Sequence, residues 1–226
     1  MIKRVSKRIG DQEFAVIGLG RFGRALALRL EETGHSVLGI DIDRGVVQRI
    51  ADDLTAAVVL DATDEGALDA AGIKDFNTVI VALGGVFEAA ALCVAALKGM
   101  EVPNVIVQAS SDQHRQLLLR IGADRVVQPL QAGGRRLAEE LAFPLLLREL
   151  SVGPDYIIAE ISPPAKFIHK HLSELDLRDA YSINVLLIKR GKELLVSPSA
   201  ETELLAGDIL VVLGPKEKVL QLVDHP

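Results

Sequence analysis

Residues 13–23 read Glu13-Phe14-Ala15-Val16-Ile17-Gly18-Leu19-Gly20-Arg21-Phe22-Gly23, a short apolar run that leads straight into G-x-G-x-x-G. A strand that turns into a helix through such glycines forms a phosphate cradle. Gly18 allows the tight turn, Gly20 lets the backbone approach an anion, and Gly23 lets the helix pack against the strand. The unpaired N–H groups of the first helical turn then face the phosphates. The surroundings agree with this. A helical stretch ends at Thr33-Gly34, a second apolar run covers residues 35–40, and Asp41 closes it eighteen residues after Gly23. An acid there accepts hydrogen bonds from ribose hydroxyls and repels a 2′-phosphate.

Outward from this segment, short apolar runs alternate with helical stretches as far as residue 127. Strands are expected at residues 14–18, 36–41, 56–60, 78–83, 104–108 and 125–127, with helices at 22–32, 44–53, 64–71, 87–98 and 112–121. Such alternation predicts an α/β fold, a Rossmann-like doubly wound parallel sheet with helices on both faces. Ligands of such sheets sit at the carboxyl ends of the strands. The candidates there are Gly18, Leu19, Gly20, Arg21, Phe22 and Gly23 after the first strand, and Asp41, Ile42 and Asp43 after the second. They continue with Asp61, Ala62 and Thr63 after the third, Ala82, Leu83 and Gly84 after the fourth, and Gln108 after the fifth. Arg21 carries a guanidinium suited to lie along phosphates. Asp61 or Thr63 is placed to hydrogen-bond a base, or Thr63 or Asp64 to cap the next helix.

Beyond residue 127 the periodicity changes. Residues 135–150 form an amphipathic stretch with Leu137, Leu141 and Leu145 four apart and Arg136 and Glu140 as an i, i+4 pair; Pro144 interrupts it, so a helix, a break and a second short helix are expected. Ser151-Val152-Gly153-Pro154 reads as a linker. Strands at 156–161, 183–189, 193–196 and 209–213 and a last helix at 216–223 then describe a small α+β domain. The expected organisation is a nucleotide-binding domain over residues 1–130, crossover and hinge helices over 131–152, and the small domain over 153–226. A domain of that size gains stability by pairing with a copy of itself.

Composition narrows the classes. Hydrophobic residues make up 49% of the 226 and aromatics only 4%, with no Trp, which suits buried parallel strands of Val, Ile, Leu and Ala. A net charge of −6 argues against a nucleic-acid partner. Lys3, Arg4, Lys7 and Arg8 form one basic cluster, either a solvated tail or a contact with an acidic partner or membrane surface. Cys93 is the sole cysteine, so no internal disulfide forms, and a reduced, cytoplasmic setting is expected. No apolar run precedes Phe14 and no stretch reaches the length of a membrane span, so neither a signal peptide nor a span is expected.

Gly18-Leu19-Gly20-Arg21-Phe22-Gly23, Gly34-His35-Ser36-Val37, Asp41-Ile42-Asp43, Asp61-Ala62-Thr63, Ile121-Gly122-Ala123-Asp124 and the closing residues 206–214 follow one another in an order that resembles the TrkA/KtrA family. The resemblance covers nearly the whole chain. It implies a cytoplasmic regulatory subunit of a potassium-uptake system, built from an RCK N-terminal Rossmann domain and an RCK C-terminal (TrkA-C) domain. Also implied are dimers assembled into an octameric ring beneath a membrane potassium-translocating subunit of the KtrB/TrkH kind, peripheral to the inner face of the membrane. The Rossmann site would take ATP or ADP, with Arg21 on phosphate, or NAD(H) as the alternative. Some relatives bind cyclic di-AMP in the C-terminal domain, at residues resembling Arg178, Asn184 and Pro198. In such relatives a glutamate that helps hold a divalent cation often follows the proline after the sixth strand; here Gln128-Pro129-Leu130 offers Leu130, which has no ligating atom.

Two other classes stay open on sequence. A small NAD-dependent oxidoreductase needs a proton-transfer residue; no Tyr-x-x-x-Lys pair is present, and His114 is the best candidate. His169 and His171 lack HExxH or CxxC partners, so no metal site is assigned. A nucleotide-sensing regulator of another cation transporter is the third class.

Overall fold

The computed structural model describes residues 12–224, and the basic cluster of Lys3, Arg4, Lys7 and Arg8 lies outside them. The chain divides into two compact units, Met1–Ala132 and Gly133–Pro226.

The first unit holds strands β1 (Glu13–Ile17), β2 (Ser36–Asp41), β3 (Ala56–Val59), β4 (Thr78–Val81), β5 (Asn104–Gln108) and β6 (Arg125–Val127). All pair in parallel, in the order β3-β2-β1-β4-β5-β6. Between them run α1 (Arg21–Glu32), α2 (Arg44–Ile50), α3 (Glu65–Ala70), a 3-10 turn (Ile73–Asp75), α4 (Phe87–Gly99) and α5 (Asp112–Ile121). Successive strand residues face opposite sides of the sheet. Ala15, Ile17, Leu38, Ile40, Val79 and Val81 therefore join Leu68, Val94, Leu97 and Leu118 of α3, α4 and α5 in one core. Val16, Val37 and Ile80 join Ala27, Val47 and Ile50 of α1 and α2 in the other. The doubly wound sheet expected from the alternation is present. Its strand order reverses between β1 and β4, which puts the crevice beside the glycine loop.

Helix α6 (Pro129–Ala142) carries the chain across the division between the units. It starts six residues earlier than its leucine spacing suggested, because proline is well suited to a first helical turn and Gly133-Gly134 is tolerated inside.

The second unit is an antiparallel sheet in the order β10-β9-β11-β8-β7, formed by β7 (Leu146–Ser151), β8 (Tyr156–Ile161), β9 (Asn184–Arg190), β10 (Glu193–Val196) and β11 (Ile209–Pro215). Helices α7 (Leu177–Tyr181) and α8 (Lys216–Val223) and two 3-10 turns, Ala165–Phe167 and Leu172–Glu174, accompany it. Ile157, Ile161, Ile188, Leu210 and Val212 of the sheet bury against Val219, Leu222 and Val223 of α8. The short helix expected after Pro144 is instead strand β7, an edge strand with Leu150 paired to Ile158 and a register shift between Leu146 and Arg148. Pairing with β8 overrides helical spacing there. Of the leucines in β7 only Leu146 is buried, so the stretch has no second helical face to pack.

Candidate functional site

The turn from β1 into α1 is built by close packing. Gly18 has φ +90°, and a Cβ there would lie 2.8 Å from Leu83 Cδ2 and 2.9 Å from the Ala82 carbonyl oxygen. A Cβ on Gly23 would collide with the Gly18 carbonyl oxygen. Both glycines are required by the chain's own packing. Gly20 differs: its φ of −66° suits any residue, and a Cβ would meet nothing within 4 Å. What its missing side chain leaves open is space outside the chain.

That space adjoins the N-terminus of α1, which has no side-chain cap and no acid in its first turn. By contrast α2, α3 and α5 are capped by Asp43, Asp64 and Ser111. The orphan N–H groups of α1 and its dipole favour an anion. Arg21 and Arg24 are exposed in the same turn. Leu19 is buried in the core by its side chain, and its N–H donates to Asp41 Oδ2 at 2.7 Å. Asp41 Oδ1 accepts the Asp43 N–H at 2.9 Å. An ionised carboxylate has about four lone-pair sites, so two stay available for hydroxyl donors.

Next to the loop is a cleft of about 260 Å³ lined by Gly18, Asp41, Ile42, Asp61, Ala62, Thr63 and Leu83, with Ile17, Ile40, Leu60, Val86 and Ala89. Its walls are chiefly apolar. Ile42 and Val86 are 68% and 59% exposed, two aliphatic side chains unshielded at the mouth. At its rim Asp61 Oδ1 accepts the Thr63 N–H at 2.9 Å and the Thr63 hydroxyl at 2.7 Å. The Thr63 N–H, and then its hydroxyl, hold the Asp61 carboxyl below its ordinary pKa. Asp64 rather than Thr63 caps α3, and Asp43 Oδ1 accepts the Gly45 and Val46 N–H groups of α2.

Of the residues picked from sequence, seven therefore line one cleft, while Gly20, Arg21, Phe22 and Gly23 belong to the loop and first turn beside it. Ala82 and Gly84 follow β4, and Gln108 lies against Gly84. Ile17, Ile40, Leu60, Val86 and Ala89 also line the cleft and are not among the strand-end candidates. Val86 stands at the N-cap of α4 in place of a hydrogen-bonding residue, and that apolar residue is the one signal for it in the sequence.

In the second unit Arg178, Asn184 and Pro198 line one pocket of about 380 Å³ together with Ser173, Asp176 and Leu177. Arg178 Nε donates to Asn184 Oδ1 at 3.0 Å. Leu130, at the start of α6, is 84% exposed and offers no ligand to a cation.

Residues 14–129 match the TrkA-N domain and residues 156–225 the TrkA-C domain. The chain belongs to the TrkA/KtrA family. It is similar to the Ktr system potassium uptake protein A of Bacillus subtilis, at 35% identity over 94% of this chain and 96% of that one. It is also similar to the Ktr system potassium uptake protein C of the same organism, at 38% over 90% and 92%. Both relatives are potassium uptake proteins rather than enzymes. Among solved structures, the GsuK channel bound to NAD shares the fold, with a TM-score of 0.65, 19% identity and coverage of all of this chain and 41% of that one. This chain thus spans about two fifths of the channel's length. No helix among the described residues is long and apolar enough to cross a membrane.

Proposed function

We propose that this TrkA/KtrA protein is a nucleotide-sensing regulatory subunit of a potassium-uptake system, acting at the cytoplasmic face of the membrane through a potassium-translocating partner. The observation that carries the reading is the uncapped start of α1 at Gly20, where a glycine unneeded by the chain's own packing opens onto unpaired N–H groups. The apolar cleft between Ile42 and Val86 suits an adenine, Asp41 suits its ribose, and Arg21 suits its phosphates. ATP or ADP is the ligand that this arrangement favours, with NAD(H) as the competitor. Leu130 supplies nothing to a divalent cation, so this reading gives residue 130 no part in cation-assisted activation by ATP. The chain matches the two potassium uptake proteins named above over nearly their full length, which supports a separate membrane partner; assembly into a ring of dimers is part of the same proposal.

A nucleotide regulates only by binding two conformational states unequally. The test is reconstitution of the protein with its membrane partner in vesicles, with potassium flux measured in ATP, ADP and neither. Flux that differs among the three supports the reading. Flux indifferent to all, with nucleotide bound, removes the regulatory role.

The pocket shared by Arg178, Asn184 and Pro198 supports a second ligand, cyclic di-AMP, in the C-terminal unit. Arg178 would meet a phosphate and Asn184 a base edge. Binding lost in Arg178→Ala and kept in Arg21→Ala would place it there; loss in the reverse pattern would refute it.

A further inference from the structure

A doubly wound sheet has two mononucleotide halves, one on each side of the point where strand order reverses, and a dinucleotide spans both. The cleft described above draws its lining chiefly from the ends of β1, β2 and β3, with Leu83 after β4 and Val86 and Ala89 around the start of α4. The other half begins at the carboxyl ends of β4 and β5. There the side chains are engaged with each other. Gln108 lies so closely over Gly84 that a Cβ on Gly84 would stand 2.5 Å from Gln108 Cδ and 2.7 Å from its Nε2. In the first turns of α4 and α5, the helices that follow β4 and β5, the Phe87 ring stacks on His114, with centroids 4.2 Å apart and planes at 25°. His114 Nδ1 is 3.0 Å from Ser110 Oγ, which fixes the imidazole from its other side.

We infer that Gln108 and the Phe87–His114 stack are specificity residues: they fill the second half of the crevice, so the site accepts an adenine mononucleotide and rejects the second ribose of a dinucleotide. The inference rests on the nucleotide reading of the glycine loop and extends it to the length of ligand. The fold by itself cannot impose this choice, because the NAD-bound channel has the same fold. The discrimination must therefore lie in side chains. Gly84 is small enough to let a ribose approach β4, and it is the Gln108 amide that occupies the approach. Admitting a second ribose requires Gln108 to swing off Gly84 and the aromatic stack to part, which forfeits a stacked pair and a hydrogen bond for each ligand bound.

Calorimetric titration of the wild-type protein with AMP, ADP, ADP-ribose and NAD⁺ tests this without any variant. Affinity is expected to hold or rise from AMP to ADP and to drop at least tenfold from ADP to ADP-ribose, where the second ribose first appears. The double variant Gln108→Ala, His114→Ala should raise NAD⁺ affinity relative to ADP affinity at least fivefold, and Gln108→Ser alone should move the same ratio less. Equal affinity for ADP and ADP-ribose overturns the inference while leaving a nucleotide site intact. A step at ADP-ribose with the ratio unmoved in both variants overturns the assignment to these residues. No binding by any of the four ligands overturns the nucleotide reading itself, and this proposal with it.

Discussion

The Asp41 carboxylate accepts the Leu19 N–H at 2.7 Å, which ties the end of β2 to the middle of the glycine loop. Its second oxygen takes the Asp43 N–H, so one side chain organises two turns on either side of the cleft. The acid expected to hold a ribose and repel a 2′-phosphate also sets the shape of the glycine loop.

Replacing Asp41 with Ala therefore has two effects. Adenine-nucleotide binding should weaken by about 1–3 kcal/mol, and urea unfolding should show a loss of about 1 kcal/mol from the abandoned Leu19 N–H. Asp41→Asn, which keeps one carbonyl acceptor, should fall between. Unchanged binding with reduced stability would confine Asp41 to the loop.

The three glycines of the motif separate by variant. Gly23→Ala should cost about 3 kcal/mol or more, because the new Cβ meets main chain that has no room to move. Gly18→Ala should be destabilising through both its positive φ and its contact with Ala82. Gly20→Ala should change stability by about 1 kcal/mol at most yet lower nucleotide affinity severely. Thermal melts with and without ADP distinguish the three.

In the C-terminal unit the Arg190 guanidinium grips buried Asp208 through Nε at 2.9 Å and a second nitrogen at 2.8 Å, and also donates to the Glu203 carbonyl. Hydrogen bonding to Arg190 is the largest influence that lowers the Asp208 pKa; burial opposes it, and the Leu205 N–H adds to the lowering. Because the folded value lies below the unfolded one, the contribution is fully present above about pH 4 and is lost as pH falls through the folded value. Stability should decline in that acid window, and the decline should flatten in Asp208→Asn. At pH 7 that variant should lose about 2–4 kcal/mol, since Arg190 is left without its charge partner.

Burial pushes the Cys93 thiol up to about 12. In α4 it has no exposed surface. A thiol reagent at pH 8 should therefore label Cys93 only as fast as the first unit unfolds, and labelling should slow with added ADP if nucleotide binds that unit. Rapid labelling of the native protein would show that the core around α4 opens.

The β1–α1–β2 segment was readable because its glycines, apolar runs and closing acid obey local rules, and the alternation after it fixed the rest of the parallel sheet. The acids at the strand ends were readable as residue types but not as partners. Nothing in the spacing shows that Asp43 caps α2, that Asp61 is held by Thr63, or that Gln108 lies on Gly84, since each depends on a side-chain direction. Strand β7 escaped because its leucines fit a helix as well as an edge strand, and only its pairing with β8 decides. Helix α7 has five residues between Asp176 and Ser182, both left-handed, and so short an element leaves no periodic signature.

The proposed phosphate site is the uncapped start of α1 at Gly20. Titration of ADP into the wild-type protein and into Gly20→Ala, followed by calorimetry, tests it most directly. Saturable binding is expected, one ADP per chain, weakened at least tenfold in a Gly20→Ala protein that melts normally. Equal binding by the two proteins, or none by the wild type, would contradict it.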